Sequence, residues 1–123
     1  MEGSFTQEKN KMACIECHRV LRSYGQMNDV LLSSRTWGRV FGDEDKFNET
    51  EIRAQMFAIR SVILEVEDSR ERLFLYHYYI KGNTLENCAK ILGISRRSVF
   101  RLKSIAINNI AEKINSISTH NIS

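Results

Sequence analysis

At 123 residues the chain is sized for one domain, or for one small domain carrying a helical arm. Apolar residues make up 42% and proline is absent, which favours a core of long uninterrupted helices and disfavours a turn-rich β fold. The net charge of +3 divides into +2 over residues 1–42, −5 over 43–71 and +6 over 72–123, so the C-terminal third suits a polyanion and the acidic middle does not.

In chain order, the first expected element is a helix from about Phe5 to Ser33. Ala13, Cys17, Val20, Tyr24, Met27 and Leu31 recur at three- and four-residue steps, and Leu21 widens the stripe. Gly25 interrupts the pattern without ending it. A loop is expected from about Ser33 to Asn48, around Gly38, Gly42 and the acidic run Asp43-Glu44-Asp45. Trp37, Val40 and Phe41 would anchor it on the core. Asn48, with Glu51 three residues on, reads as an N-cap. Ile52, Met56, Ile59 and Ile63 then carry a second helical stripe to about Val66.

The helical signal resumes at Asp68 and runs through Leu73, Phe74, Tyr76, Tyr79 and Ile80 to Lys81-Gly82, glycine being suited to the left-handed position after a helix. Thr84 caps a short helix, Leu85 to Leu92. Gly93 turns the chain, Ser95 caps again, and a last helix runs from Arg96 to about Ile117, ahead of a polar tail expected to fray. The expected organisation is all-α: an N-terminal helical arm and loop (1–47), a connecting helix (48–67), and a helix-turn-helix domain (68–123).

The stretch from Thr84 to Lys103 carries the functional signal. Ala89 is small where two helices must cross closely, and Gly93 supplies the positive φ that joins them within a few residues. Leu85, Leu92, Ile94, Val99 and Leu102 can wedge the pair together. Ser95 aims the next helical turn outward, and from it project Arg96, Arg97, Ser98, Phe100, Arg101 and Lys103, with no acid among them. Forked guanidinium groups suit guanine edges, and cations and hydroxyls suit phosphates. The residues expected to touch DNA are Thr84, Ser95, Arg96, Arg97, Ser98, Phe100, Arg101 and Lys103, with Lys90 nearby.

Residues 68–110 resemble the fourth region of bacterial sigma factors, which reads a promoter's −35 element. The shared frame is Arg72-Leu-Phe-Leu75, Tyr79-Ile-Lys-Gly82, Thr84-Leu-Glu86, Ala89, Leu92-Gly-Ile-Ser95, Ser98-Val99 and Arg101. Cys88 stands where a branched aliphatic is usual, and Phe100 where a polar residue is. The full length, with its arm and acidic linker, is similar to the late-transcription regulators of Gram-positive phages (the ArpU/RinA type). That resemblance implies an activator of phage or prophage genes, with double-stranded DNA and host RNA polymerase or a sigma factor as partners. Two alternatives keep the same residues: the DNA-recognition subunit of a phage terminase, and a module whose basic helix grips an acidic surface on polymerase or sigma factor.

A homo-oligomer is also expected, since one recognition helix covers few base pairs. Ile105, Ile107, Ile110, Ile114 and Ile117, set beside the arm's stripe, offer more apolar surface than a small reading head needs.

Other signals carry less. Cys14-Ile-Glu-Cys-His18 spells a c-type haem attachment motif, but it lies on an expected helix with no export signal, and no second ligand pair follows for zinc. His77, Cys88 and His120 are scattered. No cofactor or metal is expected, and no nucleophile elbow, phosphate loop or histidine–base pair suggests an enzyme. Three cysteines, no apolar stretch after Met1 and a longest apolar run of only Leu73 to Ile80 point to reduced thiols and a cytoplasmic protein without membrane partners.

Overall fold

The computed structural model describes the backbone of residues 2–41 and 44–122, and the side chains of 8–33 and 49–117. Five α-helices follow one another among the described residues: α1 (Glu2–Phe41), α2 (Glu44–Leu64), α3 (Ser69–Leu75), α4 (Leu85–Leu92) and α5 (Arg96–Ile122). A π-helical turn, Tyr76–Ile80, continues α3. No strand occurs among the described residues, so the all-α expectation stands at that level.

Several expected boundaries move. Where a loop is expected over residues 33–48, the described residues are helical: α1 continues through Gly38 to Phe41, and α2 starts at Glu44. Glycine costs a helix interior about 1 kcal/mol but, unlike proline, neither removes a hydrogen bond nor clashes, so a chain without proline can run on. Asn48 therefore lies inside α2 rather than capping it. Asp43 and the side chains of Trp37, Val40, Phe41, Glu44, Asp45 and His120 lie outside the described residues. At the far end the backbone is helical through Ile122, beyond the expected stop near Ile117; no glycine follows Gly93 to end it.

The single helix expected over 68–80 is α3 plus the π turn, marked by the five-residue bond from Lys81 N–H to the Tyr76 carbonyl at 3.0 Å. Asp68 caps its start, accepting from Glu71 N–H at 2.9 Å. Arg72 reaches back to the Val66 carbonyl at 2.8 Å and ties down the acidic connection after α2.

One core joins all these elements. Cys17, Leu21, Ile59, Ile63, Phe74, Leu75, Cys88, Val99 and Ile114 are its largest fully buried side chains. α1 packs most extensively on α5. Asn115 donates to the Ala13 carbonyl at 3.0 Å, Cys14 Sγ faces Asn108 Oδ1 at 3.6 Å, and Cys17 Sγ faces the Ile107 carbonyl at 3.9 Å. Rising numbers on α1 thus meet falling numbers on α5, so the two helices are antiparallel. Their apolar stripes consequently bury each other: Leu21 is 0% exposed and Ile110 4%. The apolar surplus that suggested a partner chain is largely consumed within one chain, with Ile105 left half-exposed at 46%.

Candidate nucleic-acid interface

Local chemistry sets the joint between α4 and α5. Thr84, in extended backbone, accepts from Asn87 N–H through Oγ1 at 3.1 Å and so starts α4. At the other end Gly93 adopts φ 67° and ψ 36°, the left-handed region. Its N–H donates to the Lys90 carbonyl at 3.2 Å, and Ile94 N–H donates to the Ala89 carbonyl at 3.0 Å. This paired pattern is the Schellman closure, which satisfies carbonyls the helix end would otherwise leave open. Ser95 then accepts from Ser98 N–H at 3.1 Å and caps α5 two residues after α4 has closed.

Packing holds the joint from beneath. Cys88 and Ala89 on α4 and Val99 and Leu102 on α5 are buried, and Leu85, Leu92 and Ile94 pack partly against them. The wedge expected from sequence is the wedge observed. Its consequence is orientation: with Val99 and Leu102 turned inward, the residues between them face out.

The candidate DNA-facing residues differ in exposure and in partners. Ser95, Arg96, Arg97, Ser98 and Arg101 are exposed on the first two turns of α5, and no acid lies in its first turn. Phe100 is 46% exposed, with the Arg96 guanidinium 5.9 Å from its ring centre, so the ring steadies an arginine rather than filling the core. The Ser95 hydroxyl donates to Ser98 Oγ at 2.9 Å, leaving the Ser98 proton free for a further acceptor. Thr84 is exposed at the start of α4. Lys103 is only half-exposed, its ammonium 5.3 Å from the centre of the Tyr78 ring. It lies at the edge of the exposed set, not in the middle. Lys90 is exposed on α4.

One acid intrudes from α4. Glu86 approaches Arg96 to 4.0 Å, with both side chains well over half exposed. A pair that long and that wet holds little energy, and a nucleic-acid phosphate can displace it.

The place of Tyr78 and of the α1 residues His18 and Arg22 beside Lys103 has no signal in the sequence. His18 Nδ1 lies 2.6 Å from the Tyr79 hydroxyl. Burial, with Lys103 and Arg22 close by, holds His18 below the ordinary imidazole range, and burial drives the Tyr79 phenol well above its own. The protonated phenol can therefore donate to a neutral imidazole. Burial also pushes the Cys17 thiol up to about 12, with Cys14 adding to the effect. Cys14, Cys17 and His18 thus serve packing and polar contacts between helices. Among the described residues, no three His, Cys, Asp or Glu side chains gather as metal ligands would, and no helix is long and apolar enough to cross a membrane.

No protein-family model, curated protein or solved structure matches the chain.

Proposed function

We propose that this chain is a sequence-specific transcription regulator that binds double-stranded DNA through a helix-turn-helix formed by α4 and α5. The observation that carries this reading is the start of α5, where Arg96, Arg97, Ser98 and Arg101 are exposed together on a capped, acid-free end of a helix buttressed by α4. Such an end, laid in the major groove, brings guanidinium forks to base edges while Thr84 and the α5 hydroxyls meet phosphates.

The likeness of residues 68–110 to sigma region four, including Thr84, Gly93 and Ser95 at their turn and cap positions, supports an activator working beside the host polymerase on phage or prophage genes, as the regulators of the ArpU/RinA type do. Two chains on a two-fold site would double the few base pairs one α5 can read. The contact between them would lie outside the buried α1–α5 seam.

Selection of bound sites from random duplex tests the proposal. An enriched motif whose recovery requires Arg96, Arg97 and Arg101 supports it, and a footprint of that motif at a promoter supports regulation over packaging. Recovery of unenriched sequence would remove the sequence-specific part.

A further inference from the structure

The antiparallel course of α1 along α5 lays one face of the arm beside the reading end. Lys11, Ile15, His18 and Arg22 follow one another at four-, three- and four-residue steps, the spacing of a single helical face. The first three line an open groove with Phe100, Lys103 and Ser104 of α5. Arg22 lines the adjoining cleft with Tyr78, Asn83 and Thr84. Lys103 joins the two spaces, being held against the Tyr78 ring. Three residues of the candidate DNA site, Thr84, Phe100 and Lys103, thus share walls with α1.

The charge along this face is uncompensated. Neither lining contains an acid, and among the described residues Lys11, Arg22 and Lys103 make no ion pair. The neighbouring Arg19, by contrast, is paired with Glu16 on its own helix. Lys11 and Arg22 are both exposed. Eleven residues separate them, about 16 Å of helix, against one phosphate per ~3.4 Å of duplex axis on each strand.

We propose that α1 is a second wall of the DNA site, with Lys11 and Arg22, on either side of Lys103, binding backbone phosphates of the strand that runs beside α5. This rests on the reading of α4–α5 as a DNA-binding element. The arm thereby acts in positioning, because phosphate contacts fix the register in which Arg96, Arg97 and Arg101 meet the bases.

The test uses the full chain with Lys11→Ala, Arg22→Ala, the double variant and Arg19→Ala as control, titrated against a short random duplex and the selected site across a range of salt. Each of the first two substitutions should make the log–log salt slope shallower by roughly 0.9 and weaken both duplexes by the same factor, with the melting temperature unchanged because both side chains are exposed. Arg19→Ala should match the parent, and Lys11→Arg should retain parental binding. A double variant with the parent's slope and affinity, in a protein whose binding still falls on Arg97→Ala, would overturn the α1 wall and leave the α4–α5 reading standing. A parent with no affinity for duplex at any salt would remove both.

Discussion

Two glycines sit in space that a methyl group would enter freely, yet the backbone demands opposite outcomes of the same substitution. Beyond the local backbone no atom lies within 4 Å of a Cβ built on Gly25 or on Gly93, so neither substitution clashes with a packed neighbour. Gly25 lies in helical backbone inside α1, where alanine is favoured over glycine by roughly 0.5–1 kcal/mol. Gly93 holds φ 67°, where an L side chain costs roughly 1–2 kcal/mol, offset by about 0.4–1 kcal/mol from the stiffer unfolded chain. Gly25→Ala should therefore stabilise, and Gly93→Ala should destabilise by about 1 kcal/mol net. For a chain of this length that is a shift of roughly 4 °C in Tm in each direction. Urea titrations followed by helical circular dichroism should show the two midpoints moving apart at constant slope. Gly93→Asn should fall between parent and Gly93→Ala, since asparagine tolerates the left-handed region better than alanine. A neutral Gly93→Ala would refute the left-handed closure of α4, and a destabilising Gly25→Ala would refute the continuity of α1.

Other outcomes follow from burial. Ala89 is 6% exposed at the α4–α5 contact, so Ala89→Leu should overpack it by about 1–3 kcal/mol, lowering Tm and duplex binding together; an unchanged melting curve would misplace the contact. Leu21→Asp and Ile110→Asp each put a carboxylate into the α1–α5 seam and should unfold the chain; light scattering showing a folded monomer from a dimeric parent would instead make that seam intermolecular. Alkylation of the native protein should reach half-buried Cys14 first, with buried Cys17 and Cys88 reacting only on unfolding; equal rates at all three would contradict the packing. With His18 held below its ordinary range, chiefly by burial, the unfolded chain takes up its proton first as pH falls. Stability should then be full above about pH 6.5 and decline below it, levelling once the folded chain is protonated too; a Tm that rises on acidification in a manner abolished by His18→Gln would reverse the sign.

The sequence was most legible where single residues decide backbone geometry. Thr84, Gly93 and Ser95 each state a cap or a turn by residue type alone, and the helices they bound lie where those residues place them. The exposure of the candidate set was legible for a related reason: once Val99 and Leu102 turn inward, helical spacing sends Arg97, Phe100 and Arg101 outward. Boundaries without such a residue were not readable. Gly38 and the acidic run looked like a loop, yet α1 continues to Phe41 because nothing there forbids helix. The π turn at Tyr76–Ile80 has no signature in a run of aromatic residues that also suits an α-helix. Tertiary pairing was illegible in kind: the stripes ending in Leu31 and beginning at Ile105 could serve a neighbour in the same chain or another copy. Only the antiparallel placement of α1 on α5 shows that they meet each other, and that Lys11 and Arg22 come to flank Lys103.

The salt dependence of duplex binding bears most directly on the central claim that the exposed start of α5 meets DNA. Fluorescence anisotropy of a labelled duplex, titrated with the parent and with the Arg96→Ala, Arg97→Ala, Arg101→Ala triple variant, supplies it. The parent should lose affinity with a log–log slope of roughly −4 to −6 per chain, and the triple variant should bind more weakly with a slope about 2 to 3 shallower. A flat dependence, or a triple variant as tight as the parent, would contradict the account.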